Sequence, residues 1–290
     1  MQRRAGHDLT LLAICPIVRA EHFSSTDKVP ILMAELDEAQ TLIYAYLDEA
    51  LQQFNLGSTS DSGHLTTIAY YYRLRGIEAY LRRMDESAFV SDLSKAAQAR
   101  LHYLRACVAG HVRDGDYTTA LKNFAYFDAL AAHDWTSATE LAQSCAGQWN
   151  QETQYEEDFL WVEFLQAALA APESEARLLD RFREVAQADN PFLACCTALH
   201  TRAAEALPAA LNTIADIRQA NFAAKRDPPD LPVLVLATEP YIDVQALAVC
   251  RLAQRRGMPA PVGIRSVPDT LLEMPEGLHR LPAPDSWRIF

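Results

Sequence analysis

Glycine is scarce in this sequence, at 10 of 290 residues. An α/β enzyme of this length normally needs more glycine for tight loops and phosphate-binding turns. The sequence also has no glycine-rich phosphate loop, no dinucleotide fingerprint and no G-x-S-x-G nucleophile motif. The scarcity of glycine predicts a helical protein, and the missing motifs give no signal for a cofactor, so we expect none.

Paired cysteines and long apolar runs are missing as well. The six cysteines are scattered, mostly through apolar helical stretches, and no C-x-x-C occurs. This pattern is typical of reduced, buried thiols and not of a disulfide framework. No apolar run approaches the length of a membrane span, and we interpret the run from Leu9 to Val18, which Pro16 interrupts, as a buried first segment. We therefore expect a cytoplasmic protein with no membrane partner.

Positive charge is in deficit, because 26 lysines and arginines face 38 aspartates and glutamates, for a net charge of −12. A nucleic-acid-binding protein needs a basic face for phosphate contacts, so we expect no nucleic-acid partner. Complementary charge speeds encounter and selects partners, which makes a basic protein partner compatible with this balance. Many ordinary cytoplasmic proteins are equally acidic.

What the sequence does have is helical periodicity. The segment ILMAELDEAQTLIYAYLDEALQQF places six apolar residues on one helical stripe: Leu32, Leu36, Ile43, Leu47, Leu51 and Phe54. Similar segments predict about nine helices joined by short loops. The predicted fold is all-α: one domain over 1–290, built as an antiparallel helical bundle or hairpin array.

The C-terminal end is predicted to differ from the rest. RDPPDLP, at 226–232, has the composition of a Pro-rich linker, and 233–290 follows as a cap. Within that cap, VLVLA (233–237) and PVGIR (261–265) predict short strands around one helix. The expected order is strand, helix and extended chain.

Tyrosine and arginine alternate in YYYRLRGIEAYLRR, at 70–83. Aromatic and arginine side chains can stack nucleobases, but the tyrosines fall on a helical core stripe and the net charge opposes RNA. A buried tyrosine stripe with a solvated arginine face is the favoured interpretation, and protein contact is the better functional alternative. Gly76 costs about 1 kcal/mol relative to alanine in this helix, so we expect a neighbouring helix to approach closely there.

Carboxylates cluster in QETQYEEDF. A helix start favours acidic residues, which accounts for them without any function. Paired carboxylates can also bind a divalent metal or act as acid and base, so an all-α hydrolase remains an alternative. An acidic patch that meets a basic partner fits the net charge better. The candidate partner-binding residues are therefore Glu152, Tyr155, Glu156, Glu157 and Asp158.

Cys195, Cys196 and His200 offer a possible metal site, since Cys196 and His200 share one helical face. A structural zinc site needs four ligands, and no second pair at suitable spacing is evident. We therefore predict buried core cysteines and no metal.

A short pattern repeats once: Asp116-Tyr117 with Ala120 is followed by Asp134-Trp135 with Ala138. The roughly 34-residue period of tetratricopeptide repeats does not recur. A helical-repeat scaffold or regulator that binds a peptide or protein is therefore the alternative function, and not the leading one.

The stretch EPYIDVQALAVCRLAQRRGMPAPVGIRSVPDTLLEMP resembles the C-terminal end of the immunity protein 49 family of bacterial polymorphic toxin systems. Ala246–Gly257 and Val267–Leu272 carry the match, and the earlier FDALAAHDWTSATELA is similar to a helical hairpin of the family. The resemblance implies a non-enzymatic protein that binds a cognate toxin and neutralises it by occlusion. It assigns no functional residues, because the matched motifs are packing motifs. A toxin that acts on polyanions would be basic, and an acidic inhibitor would complement it.

Overall fold

A computed structural model of the chain describes residues 28–57, 62–111, 118–145, 149–152, 154–226 and 230–289. Within these ranges the chain forms 12 α-helices and no strand, and no helix among them is long and apolar enough to cross a membrane. The all-α prediction is confirmed, and the buried N-terminal run that we expected lies outside the described residues. The helices are α1 (Lys28–Asn55), α2 (Ser62–Arg83), α3 (Glu86–Val108), α4 (Phe124–Ala131), α5 (Trp135–Ser144), α6 (Glu156–Ala170), α7 (Glu175–Val185), α8 (Pro191–Thr201), α9 (Ala206–Ala224), α10 (Val233–Leu236), α11 (Val244–Arg255) and α12 (Asp269–Glu273).

Helices α1, α2 and α3 pack side by side in chain order. Asp85 begins α3 because its carboxylate accepts a hydrogen bond from the Ala88 amide at 2.9 Å. A Cβ on Gly76 would lie 3.3 Å from the Phe89 carbonyl oxygen of α3. The predicted close approach at Gly76 is therefore confirmed, and it explains why alanine is not used there.

Helix α4 lies at the centre of the fold, against α3, α5 and α11. Every residue of FAYFDALA after Phe124 is buried. The turn into α5 is fixed by Asp134, whose carboxylate caps that helix by accepting from the Ser137 amide at 3.1 Å. The other carboxylate oxygen of Asp134 accepts from the Ser94 hydroxyl at 2.6 Å, which ties the turn to α3.

The predicted strand at 233–237 is wrong, because VLVL forms the short helix α10. Pro232 immediately precedes the first helical residue, and α10 packs against α1 with Leu234, Val235 and Leu236 buried. The Thr238 hydroxyl then closes the turn by donating to the Leu234 carbonyl at 2.6 Å. A four-residue apolar run shows no period that separates helix from strand.

The predicted strand at 261–265 is also wrong. Gly263 has a positive φ of 66°, which breaks any extended run. Asn212 of α9 holds this loop through its side chain, which donates to the Gly263 carbonyl at 3.0 Å and accepts from the Arg265 amide at 2.8 Å. The C-terminal end is therefore helix, turn and loop throughout the part that the structure describes.

Arg251 joins α11 to α12. Its guanidinium is only 1% exposed and donates to the carbonyls of Leu271 and, at 3.0 Å, Leu272. Helix α11 begins at Asp243, whose carboxylate accepts from the Ala246 amide at 3.0 Å. The two stretches that carry the family resemblance thus form one packed unit.

The last residues run back over α3. Trp287 is 1% exposed, and its ring lies 5.1 Å from that of Phe54 and 5.4 Å from that of His102, measured between centroids. The Tyr72 hydroxyl donates to the Trp287 carbonyl at 2.6 Å. One hydrophobic core therefore extends from α1 to this C-terminal tryptophan.

Candidate functional site

A cavity of about 400 Å³ opens between α2, α3 and the start of α4. Four of its lining residues, Thr66, Ala69, Tyr70 and Arg73, lie on one face of α2, as their helical spacing requires. Tyr70 is 36% exposed, and Phe124, across the opening, is 46% exposed. The volume is within the range of cavities that hold a small ligand or an inserted side chain.

Arg73 forms the inner wall of this cavity. Its Nε donates to Asp128 Oδ1 at 2.6 Å, and its Nη2 donates to the Phe124 carbonyl at 3.2 Å. Its Nη1 lies 3.9 Å from Glu239 Oε1. Burial lowers the pKa of Arg73, but the charges of Asp128 and Glu239 outweigh it and leave that pKa raised. The guanidinium is therefore held in place as a cation.

Asp128 is the buried partner in this pair. Burial raises the pKa of its carboxyl to about 6, although the charge of Arg73 opposes the shift. A buried carboxylate needs such a partner, because an unpaired charge in the interior costs several kcal/mol.

The charges continue beyond Arg73 towards α9 and α11. Arg218 donates to the Glu239 carboxylate at 3.1 Å and lies 3.9 Å from that of Asp243. A second cavity, of about 170 Å³, adjoins this part of the network and shares Arg73, Phe124 and Glu239 with the first. Acidic and basic side chains therefore alternate from α4 to α11 and fix the wall that separates the two cavities.

The predicted solvated arginine face was wrong for Arg73 and Arg75, whereas Arg83 is exposed as expected. Arg73 is buried against Asp128, and Arg75 is partly buried and donates both Nε and Nη2 to Asp92, at 2.7 and 2.6 Å. The partner residues lie far along the chain, so the spacing within α2 gave no signal for them. The one available signal was Asp128 itself, an acid inside the otherwise apolar FAYFDALA.

Three tyrosines form a row beside the cavity, which we name the tyrosine ladder: Tyr46 of α1, then Tyr71 and Tyr70 of α2. The ring centroids of Tyr46 and Tyr71 are 5.6 Å apart at 29°, and those of Tyr71 and Tyr70 are 6.2 Å apart. Tyr46 is 40% exposed. Tyr72 and Tyr80 lie in the core, as the helical stripe predicts. The ladder ends at Tyr70, which also lines the cavity, so the two form one continuous surface.

The predicted partner-binding residues lie at the start of α6 and just before it. Glu156 forms a double hydrogen bond with Arg181, at 2.7 and 3.0 Å, and Glu157 accepts from the side-chain Nδ2 of Asn190 at 2.8 Å. The residues of this set that stay exposed are Glu152, Tyr155 and Asp158. Two of the four carboxylates are therefore held by contacts within the chain, and a role in partner binding stays a prediction.

Cys195, Cys196 and His200 do not converge on one site. Both cysteines are buried in α8, and burial raises the pKa of each thiol. The His200 ring instead meets Glu175 at 2.9 Å, and Arg256 donates to the same carboxylate at 2.8 and 3.0 Å. Among the residues that the structure describes, no cluster of His, Cys, Asp and Glu side chains could hold a metal ion.

Comparison of the chain with protein-family models, with curated proteins and with solved structures finds no match. The family resemblance therefore stays a prediction that depends on the residues quoted for it.

Proposed function

We propose that this chain is a non-catalytic immunity protein that binds a toxin and neutralises it by occlusion. The observation that supports this proposal best is the continuous surface made by the tyrosine ladder and the cavity. Tyrosine is enriched among the residues that dominate binding energy at protein interfaces, and a concave cavity beside it can accept an anchoring side chain.

The rigidity of this surface also favours binding. Asp128 and Glu239 hold Arg73 from two sides, so the cavity wall keeps its shape without a ligand. A preformed surface loses less conformational entropy when a partner docks.

The net charge of −12 favours a basic partner, because complementary charge raises the rate of encounter. We place the protein in the cytoplasm, where the buried thiols of Cys195, Cys196 and Cys250 would stay reduced.

Co-expression tests the proposal directly. Cells that produce the toxin domain encoded beside this gene should survive when they also produce this chain, and the two proteins should copurify. Tyr46→Ala combined with Tyr70→Ala should abolish both results while the circular dichroism spectrum stays unchanged. Absence of rescue together with absence of a complex would refute the proposal.

A matched variant separates the two candidate surfaces. Tyr155 is 82% exposed at the start of α6, so Tyr155→Ala removes an equivalent ring from the predicted acidic patch. If Tyr155→Ala abolishes rescue and the combined Tyr46→Ala and Tyr70→Ala variant does not, the toxin docks at α6.

The cavity also fits a second function, that of a scaffold which binds a peptide. Such a protein should bind the isolated peptide from its partner as tightly as it binds the folded partner. An inhibitor that acts by occlusion should instead need the folded toxin domain. Titration with both forms distinguishes the two functions.

A further inference from the structure

We propose that the tyrosine ladder, together with Glu49, is a binding platform for an arginine side chain of a basic protein partner. This inference rests on the proposed function only in assuming that the partner is a protein. It adds to the proposed function the identity of the partner side chain that this surface binds, an arginine.

The ladder has the geometry that a guanidinium needs. Tyr46 and Tyr71 stack at 29° with 5.6 Å between ring centroids, and Tyr70 continues the row at 6.2 Å. The two outer rings are 40% and 36% exposed, so the row is open to a partner. A planar cation stacks on tyrosine through the negative charge of the ring face.

Glu49 supplies the carboxylate. It is exposed on α1, three residues after Tyr46, which places both side chains on one face of that helix. Burial raises the pKa of Tyr71, and Tyr46 and the negative charge of Glu49 raise it further. The carboxylate of Glu49 therefore lies close to the ladder. Within the described ranges no lysine or arginine forms an ion pair with Glu49. A bound arginine would therefore gain a carboxylate as well as the rings.

The acid at the other end of the ladder is already paired. Tyr70 faces Glu239, Arg73 and Arg218, and the carboxylate of Glu239 meets both arginines. The cavity lining also includes the cations Arg100 and Lys122, so this end does not favour a bound cation, and Glu49 is the acid that the ladder leaves available. The complementary partner group is a cation.

The fold uses the same contact for its own arginines. The guanidinium carbon of Arg75 lies 4.7 Å from the ring centroid of Tyr72 and 5.7 Å from that of Tyr44. That of Arg218 lies 4.9 Å from the ring of Phe222. An arginine from a partner would repeat on the surface an arrangement that already occurs inside.

Arginine and lysine probes of equal charge test the inference on the isolated full-length chain. Calorimetric titration at low salt should show that a hexa-arginine amide binds about threefold to tenfold more tightly than a hexa-lysine amide, because only the guanidinium is planar. Equal affinities for the two peptides would overturn the inference.

Two pairs of variants locate the effect. Tyr46→Leu with Tyr70→Leu should remove the preference for arginine, whereas Tyr46→Phe with Tyr70→Phe should keep it, because phenylalanine retains the ring face. Glu49→Gln should weaken arginine binding about twofold to fivefold. Glu173→Gln, which removes an exposed carboxylate between α6 and α7, should weaken it less. An arginine preference that survives the leucine variant would also overturn the inference.

This titration and the rescue assay can fail separately. Selective arginine binding, with neither rescue nor a complex with the toxin domain, would leave the platform in place and refute the immunity function. Rescue without selective arginine binding would support the immunity function and refute the arginine platform.

Discussion

His133 should make the stability of this fold depend on pH. It follows α4 with a positive φ of 58°, and its amide donates to the Leu130 carbonyl at 3.0 Å. Both ring nitrogens are buried, and neither forms a hydrogen bond with any residue that the structure describes. Burial, followed by the positive charge of Arg251, lowers the pKa of this histidine to about 4.

The sign of the effect follows from that lowered pKa. An unfolded histidine has a pKa of about 6.5, so below that pH the unfolded chain binds a proton that the folded chain excludes. The contribution is complete above about pH 6.5 and is lost as the pH falls towards about 4. At about 1.4 kcal/mol per pKa unit the ceiling is roughly 3 kcal/mol. We expect about 1 to 2 kcal/mol, because His133 is only partly buried.

Urea unfolding at neutral pH and near pH 5 measures this contribution. His133→Asn is the control variant, because asparagine tolerates a positive φ and does not titrate. The free energy of unfolding should fall more steeply with acidification in the natural chain than in the variant. Other titrating groups cancel in this difference. Identical pH dependence in the two proteins would refute the assignment of a depressed pKa to His133.

Three further substitutions test the packing. Arg73→Met should lower the free energy of unfolding by about 3 to 5 kcal/mol, because it leaves Asp128 buried and unpaired. Adding Asp128→Leu should restore much of that loss in a double-mutant cycle, and strictly additive losses would contradict the pairing. Gly76→Ala should lower the urea midpoint despite the better helix propensity of alanine, because its Cβ would meet the α3 backbone at 3.3 Å near Phe89; a raised midpoint would show that α3 can move away. Trp287→Ala should cost about 3 to 5 kcal/mol in the same assay and Trp287→Phe clearly less, whereas a loss under 1 kcal/mol would show that the C-terminal segment adds little to the core.

Periodicity was sufficient for the long helices, since the stripe from Leu32 to Leu51 is buried as predicted. It failed for α10, where a four-residue run is too short to show a period. The tight contact at Gly76 was also predictable, because a glycine inside a helix needs a compensating reason.

The candidate site was less predictable than the fold. Arg73 meets Asp128 across 55 positions of sequence, and no local pattern signals such a pair. The tyrosine ladder joins residues of two helices, so Tyr46 and Tyr71 come together only after α1 and α2 have packed. The predicted core stripe is correct for Tyr72, which is buried, and wrong for Tyr70, which is exposed.

The residues that stabilise the fold and the residues of the proposed binding surface lie in different parts of the chain. Arg251 holds α11 to α12 by donating to the Leu272 carbonyl, and Asp243 caps α11 by accepting from the Ala246 amide. Substitutions at these two residues should therefore affect folding first. Tyr46 and Glu49 are exposed on α1, so they can change with little effect on the core. A sequence match confined to α11 and α12 would therefore indicate a shared fold and carry no information about the partner. If the arginine platform is correct, the identity of the partner is encoded in α1 and α2, where the C-terminal motifs give no guidance.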